Sequence, residues 1–141
     1  MVLKPIPFNS PERIEGRILI VDDEAEVRQT LADLLEFEGY QVECAESGET
    51  ALAVAERRRI DLVLTDLHMP GLDGMSVVEV HGAERMPVTV FVTAHDDFAV
   101  QAFEARALDY LVKPLSEARF RQTMTRVLER LRARPARRLA I

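Results

Sequence analysis

The chain has 141 residues, of which 48% are hydrophobic and 30% charged, with a net charge of −6. That size and balance suit one globular domain with a proper core. No apolar run approaches the roughly 20 residues of a membrane span, and the acidic balance disfavours direct nucleic-acid binding by the body of the chain.

Residues 1–16 carry Pro5, Pro7 and Pro11 and no continuous apolar stretch, so they read as a flexible lead-in and not as a signal peptide. Arg17-Ile18-Leu19-Ile20-Val21 is an apolar run closed by Asp22-Asp23-Glu24, the pattern of a strand buried on both faces. Val27, Leu31, Leu34 and Leu35 then recur at i, i+4, i+7 and i+8, which predicts an amphipathic helix stopping at Gly39. Gln41 to Ala45 is a short strand containing Cys44, the single cysteine. It can form no internal disulfide, and its position predicts a buried structural thiol in a reducing, cytoplasmic setting. Ser47 is a candidate N-cap, with Thr50 where a capping box would place Glu, for a helix reaching about Arg59.

Leu62-Val63-Leu64-Thr65 is a second doubly buried strand, and it delivers Asp66 to its C-terminal end before the turn Met69-Pro70-Gly71. A helix follows from about Met75 to Glu84. Pro87 opens the strand Val88 to Thr93, and residues 97–105 form a weak helix with Phe98, Ala102 and Phe103 on its apolar side. A short strand, Asp109 to Val112, ends at Lys113-Pro114. The last helix carries Phe120, Met124, Val127, Leu128 and Leu131 on one face. Residues 119–138 hold eight arginines against Glu129 alone. Such a run is either the solvated face of a helix or a contact for acidic partners or nucleic acid.

Five strands and five helices in strict alternation predict an α/β fold, a (βα)5 doubly wound parallel sheet of order 2-1-3-4-5 in a flavodoxin-like three-layer sandwich. The domain spans 17–131, and residues 132–141 are an Arg-rich tail or a truncated linker.

Ligand sites of such folds lie outside the carboxyl ends of the strands. Asp22, Asp23, Asp66, Thr93 and Lys113 all fall there, so they converge although up to 91 positions apart. Several carboxylates in one place suit a hard divalent cation, and a carboxylate can serve as covalent nucleophile for a phosphoryl group. A lysine and a hydroxyl would hold the phosphoryl oxygens, and phosphoryl transfer relies mainly on such positioning and electrostatics. Each residue alone has a plainer reading. The acidic triplet complements a helix dipole, Asp66 forms a turn, Thr93 caps a helix, and Lys113 is a solvated charge. Their joint placement favours the chemical reading.

Val21-Asp22-Asp23-Glu24, Asp66 to Gly74, Val92-Thr93-Ala94 and Lys113-Pro114 resemble the receiver domain of two-component response regulators. The resemblance covers roughly residues 16 to 131. Phe91 to Val100 and Ala107-Leu108-Asp109-Tyr110-Leu111 are most similar to receivers of the LytR/AlgR (LytTR-type) regulators. The resemblance implies that Asp66 is the phosphoacceptor and that Mg²⁺, with Mn²⁺ as the alternative, is the cofactor. Asp23 would ligate the ion directly and Asp22 mostly through water, with Asp66 and the backbone carbonyl of His68 completing the set. Thr93 would bind the phosphoryl group, Lys113 would pair with it, and the Lys113-Pro114 bond would be cis. Thr93 and Tyr110 would be the switch residues, and the fourth helix, fifth strand and last helix would form the readout face.

The implied partner is a histidine kinase or a histidine phosphotransfer protein. Beyond its own phosphorylation and dephosphorylation no enzyme activity is expected. No membrane contact is expected, and DNA would be reached only through an output domain absent from this chain. Acidic Asp96, Asp97 and Asp109 beside Arg119, Arg121 and Arg126 suggest a self-complementary homodimer face engaged on phosphorylation. His68 and His95, two positions after Asp66 and Thr93, either tune access of water to the phosphoryl group or are merely exposed. Alternatives are a stand-alone phosphorelay shuttle and a contact-only pseudo-receiver. A haloacid-dehalogenase-type phosphatase would need DxDx(T/V) after the first strand, where Asp-Asp-Glu-Ala stands. Neither GxxxxGK(S/T) nor GxGxxG occurs for a nucleotide, and no HExxH for zinc.

Overall fold

Each apolar run is a strand of one parallel sheet in a computed structural model that describes residues 17–82, 85–94 and 107–133. The strands are β1 (Arg17–Val21), β2 (Gln41–Ala45), β3 (Leu62–Thr65), β4 (Val88–Thr93) and β5 (Asp109–Val112), in the order β2-β1-β3-β4-β5. The described helices are α1 (Ala25–Phe37), α2 (Gly48–Arg57), α3 (Gly74–His81) and α4 (Glu117–Ala133). The weak helix expected over 97–105 lies outside the described residues. No described helix is long and apolar enough to cross a membrane.

Strand alternation divides the core into two layers. Ile18, Ile20, Leu62, Leu64, Val90, Val92 and Leu111 face α1 and α4, where they meet Leu31, Leu35, Phe120 and Val127. Leu19, Val21 and Val63 face Ala51 and Val54 of α2, while Phe91 and Leu67 meet Val78 of α3. Both faces of the central strands are therefore covered, as a sheet of this order requires. The register pairs Val21 with Ala45 and Thr65, and Thr65 with Phe91, so the carboxyl ends of the strands lie at one edge.

Local sequence sets the helix ends. Ser47 caps α2, its hydroxyl accepting the Thr50 N–H at 3.1 Å, and the helix ends at Arg57, short of the expected Arg59. Asp73 caps α3 by accepting the Ser76 N–H at 2.8 Å, which starts this helix at Gly74. Gly74 is there because a Cβ would lie 2.4 Å from the Asp66 carbonyl oxygen. The turn after β3 is thereby folded tightly back on the strand end.

Two expectations are corrected. Cys44 is exposed, because it lies on β2, which among the described strands pairs with β1 alone and forms an edge of the sheet. Asp109 is no part of an open acidic surface: it is 9% exposed and engaged within its own chain. Its carboxylate takes Arg119 at 2.7 and 2.9 Å, the Thr123 hydroxyl at 2.6 Å and Arg126 at 3.5 Å. Burial works against the charge, but the Arg119 and Thr123 hydrogen bonds and the Tyr110 N–H outweigh it and lower the Asp109 pKa from 3.8 to about 2.

Ala at position 74 should destabilise the domain by on the order of 3 kcal/mol through overpacking against backbone, read as a lower urea midpoint with an unchanged slope. A depressed carboxylate pKa stabilises above the unfolded value and loses that contribution as pH falls through the folded one. The stability gap between the parent and Asp109→Asn should therefore narrow by about 2 kcal/mol between pH 5 and pH 2, as measured by urea unfolding at each pH.

Candidate functional site

Asp22 and Asp66 sit one residue past β1 and β3, and both are almost fully buried. Asp22 is held by its backbone on two sides: its N–H donates to the Ala45 carbonyl at 3.1 Å, and its carbonyl accepts from Arg28 Nη1 at 2.6 Å. Its Oδ1 accepts the Glu24 N–H at 2.9 Å, which turns the chain into α1. Asp66 is fixed likewise. Its N–H donates to the Val21 carbonyl at 2.9 Å, and its Oδ1 accepts the His68 N–H at 3.1 Å. Asp23 and Glu24 are exposed, yet one carboxylate oxygen from each of Asp22, Asp23, Glu24 and Asp66 lies within 4.8 Å of the others.

Like charges so close repel unless a cation lies among them. Lys113 supplies one. Its Nζ donates to Asp22 Oδ2 at 2.8 Å and Asp66 Oδ2 at 3.1 Å, and lies 3.4 Å from Glu24 Oε1. The lysine reaches this place because its own N–H closes the β4–β5 ladder on the Thr93 carbonyl at 2.7 Å, and the following Lys113-Pro114 bond is cis.

Burial disfavours charge on both buried partners in this cluster. It pushes the Asp66 pKa up, and the His68 N–H and Lys113 offset only part of that rise. Burial also opposes the Lys113 charge, but the hydrogen bonds to Asp22 and Asp66 dominate and raise its pKa, so it stays protonated. The donor set fits a hard divalent cation. It is all oxygen, two of its carboxylates are withdrawn from water, and its negative charge exceeds what one lysine neutralises.

The geometry brings Asp22, Asp23, Asp66 and Lys113 into one cluster, with His68 attached through its backbone. Thr93 ends β4 between β3 and β5 and is fully buried. Tyr110 is half-buried against the cluster of Leu67, Val78 and Phe91. His68 is exposed, and His95 lies outside the described residues. Sequence reasoning missed the hold of Arg28 on the Asp22 carbonyl, whose only signal is an arginine in the first turns of the helix after the acidic triplet. It also missed the Asp109–Arg119–Thr123 network, since β-strand and helix periodicity say nothing about which polar residues meet.

Residues 18–125 match the response regulator receiver domain. The positive alginate biosynthesis regulatory protein of Pseudomonas aeruginosa is 45% identical over 102 residues, covering 70% of this chain and 41% of that protein. The transcriptional regulatory protein ResD of Bacillus subtilis is 41% identical over 120 residues, covering 84% of this chain and 49% of that protein. The chain thus spans less than half the length of these relatives. Among solved structures, the response regulator TrrA from Thermotoga maritima, in complex with Mg²⁺ and BeF, aligns with a TM-score of 0.71 at 31% identity, over 79% of this chain and 98% of that one. The matched span and the β2-β1-β3-β4-β5 sheet place the chain: it belongs to the receiver domains of two-component response regulators and is of the LytR/AlgR-like kind.

Proposed function

We propose that the chain accepts a phosphoryl group on Asp66 from the phosphohistidine of a histidine kinase or a histidine phosphotransfer protein. The observation that carries this reading is the convergence of Asp22, Asp23, Asp66 and Lys113 from the ends of three strands. An Asp66 carboxylate oxygen forms the new O–P bond as the P–N bond of the phosphoimidazole breaks. The imidazole leaves with the electron pair and takes a proton from solvent. Lys113 exchanges its carboxylate partners for a phosphoryl oxygen, and the Thr93 hydroxyl donates to another. Asp22, Asp23, Asp66 and the His68 backbone carbonyl would hold Mg²⁺ or Mn²⁺, which supplies positive charge to the phosphoryl oxygens.

A groove of about 480 Å³ lies between α1 and the segment after β5, lined by Val27, Leu31, Leu34, Pro114 and Leu115 with Glu26 and Thr30 on its rim. It opens beside Lys113, so a donor protein seated there carries its phosphohistidine to Asp66.

The aspartyl phosphate adds a dianion near Thr93 and Lys113. Drawing Thr93 toward it opens space behind β4 into which Tyr110 turns, and β5 and α4 pass the change to a partner surface. Moving such an equilibrium from 1:99 to 99:1 takes about 5.5 kcal/mol of differential interaction, a scale within reach of charge-assisted hydrogen bonds in a buried site. The output is transcription regulation through a further domain that binds DNA, with a homodimer formed on phosphorylation. Because Asp109 is engaged within the chain, that dimer face draws on other charges.

Incubation with acetyl phosphate and Mg²⁺ should add one phosphoryl group by intact mass, and Asp66→Asn or a chelator should abolish the addition. Retention of the adduct in Asp66→Asn would move the acceptor elsewhere. His68→Ala should change the lifetime of the phosphorylated protein at least about threefold if the imidazole governs the attacking water; equal lifetimes would assign His68 to the surface alone.

A further inference from the structure

Tyr110 is gripped by its main chain at both ends. Its N–H donates to Asp109 Oδ1 at 2.8 Å, and its carbonyl accepts from Arg119 Nη2 at 3.2 Å. The gripping side chains are bound to each other through two guanidinium–carboxylate hydrogen bonds of 2.7 and 2.9 Å. Thr123 braces them, donating to Asp109 Oδ2 at 2.6 Å and accepting from Arg119 Nη1 at 2.7 Å.

The strand itself leaves this peptide to such a grip. β5 pairs with β4 alone among the described strands. Lys113 directs its N–H to Thr93, and in a parallel ladder the residues facing a given neighbour alternate. Tyr110, three residues earlier, therefore presents its N–H and carbonyl to the side of the strand away from β4. Side chains alternate as well. Leu111 lies in the layer of Phe120 and Val127, the side of α4, while Tyr110 packs on the opposite layer with Leu67, Val78 and Phe91. The grip comes from the α4 side and leaves the ring on the other.

We propose that Asp109 and Arg119 are positioning residues for Tyr110, fixing its peptide so that a change at the acidic cluster reaches it as rotation of the ring and not as a slide of β5. This rests on the reading of Tyr110 as a switch residue. Without the grip, the peptide shifts with the ring, intermediate placements become accessible, and the two-state response blurs. Arginine is suited to the task because its planar fork spans two carboxylate oxygens and a carbonyl at once, which a single ammonium does not.

The chain has two tyrosines, Tyr40 and Tyr110, and no tryptophan. In a Tyr40→Phe background, 3-fluorotyrosine gives a ¹⁹F NMR signal from Tyr110 alone, followed before and after loading with beryllofluoride and Mg²⁺. The parent should move from one signal position to a second. Arg126→Gln, which removes an ion pair to Asp109 without touching Tyr110, should do the same. Arg119→Lys should lie between the two positions before loading and show roughly half the parental shift or less after it. Thr123→Val, loosening the same grip with little change of volume, should move in the same direction and serves if Arg119→Lys folds poorly. A full parental shift in both variants overturns the positioning role. A parental ring that stays fixed while bound fluoride is visible overturns the switch reading of Tyr110, and the positioning role with it. Absence of bound fluoride overturns the Asp66 site, leaving no signal for Tyr110 to receive.

Discussion

The ammonium group of Lys113 is the constraint on which the site depends. It stands between two buried carboxylates, Asp22 and Asp66, that come from different strands and would otherwise repel at close range. Burial in a sheet edge covered on both faces makes that repulsion costly, and a paired cation makes it tolerable. The same arrangement leaves negative charge in excess, since Asp23 and Glu24 add to the acids while Lys113 pairs with Asp22, Glu24 and Asp66 among the described residues. A site built this way would gain from a divalent cation and, in the proposed transfer to Asp66, from a phosphoryl group that takes over the lysine. Structural stability and chemistry therefore draw on the same charges.

The sheet makes such a cluster affordable by holding the backbone rather than the side chains. Asp22 is bonded through its N–H to Ala45 and through its carbonyl to Arg28, and Asp66 through its N–H to Val21. With these anchors made, each carboxylate has little freedom left to escape its neighbours. Gly74 completes the geometry from the other side, because only a residue without Cβ lets the turn after β3 close on the Asp66 carbonyl. The turn chemistry after β3 is thus part of the site.

A second set of charges, around Asp109, follows the opposite logic. Its carboxylate is fully engaged by Arg119, Thr123, Arg126 and the Tyr110 N–H. Its negative charge is therefore compensated on the spot, where that of the acidic cluster is left in excess. One network leaves charge to be met by further partners, and the other is closed within the chain. They lie at the two ends of β5, with Tyr110 between the buried acid and Lys113.

Much of this was legible in the residues taken in order. Apolar runs ending in Asp22, Asp66, Thr93 and Lys113, alternating with amphipathic patterns, pointed to the strand order and the edge at which the carboxylates gather, because hydrophobic period and connection handedness are local or nearly local properties. Ser47 announced its helix for the same reason, as a cap needs only its own turn. What required the tertiary structure was the pairing of polar groups distant in sequence. That Cys44 is exposed depends on β2 being an edge strand. That Asp109 is closed within its chain depends on α4 lying across β5, and Arg28 finds the Asp22 carbonyl only once α1 has packed. Side-chain hydrogen bonds are set by where backbones cross, and no periodicity in the sequence encodes that crossing for a given pair of residues.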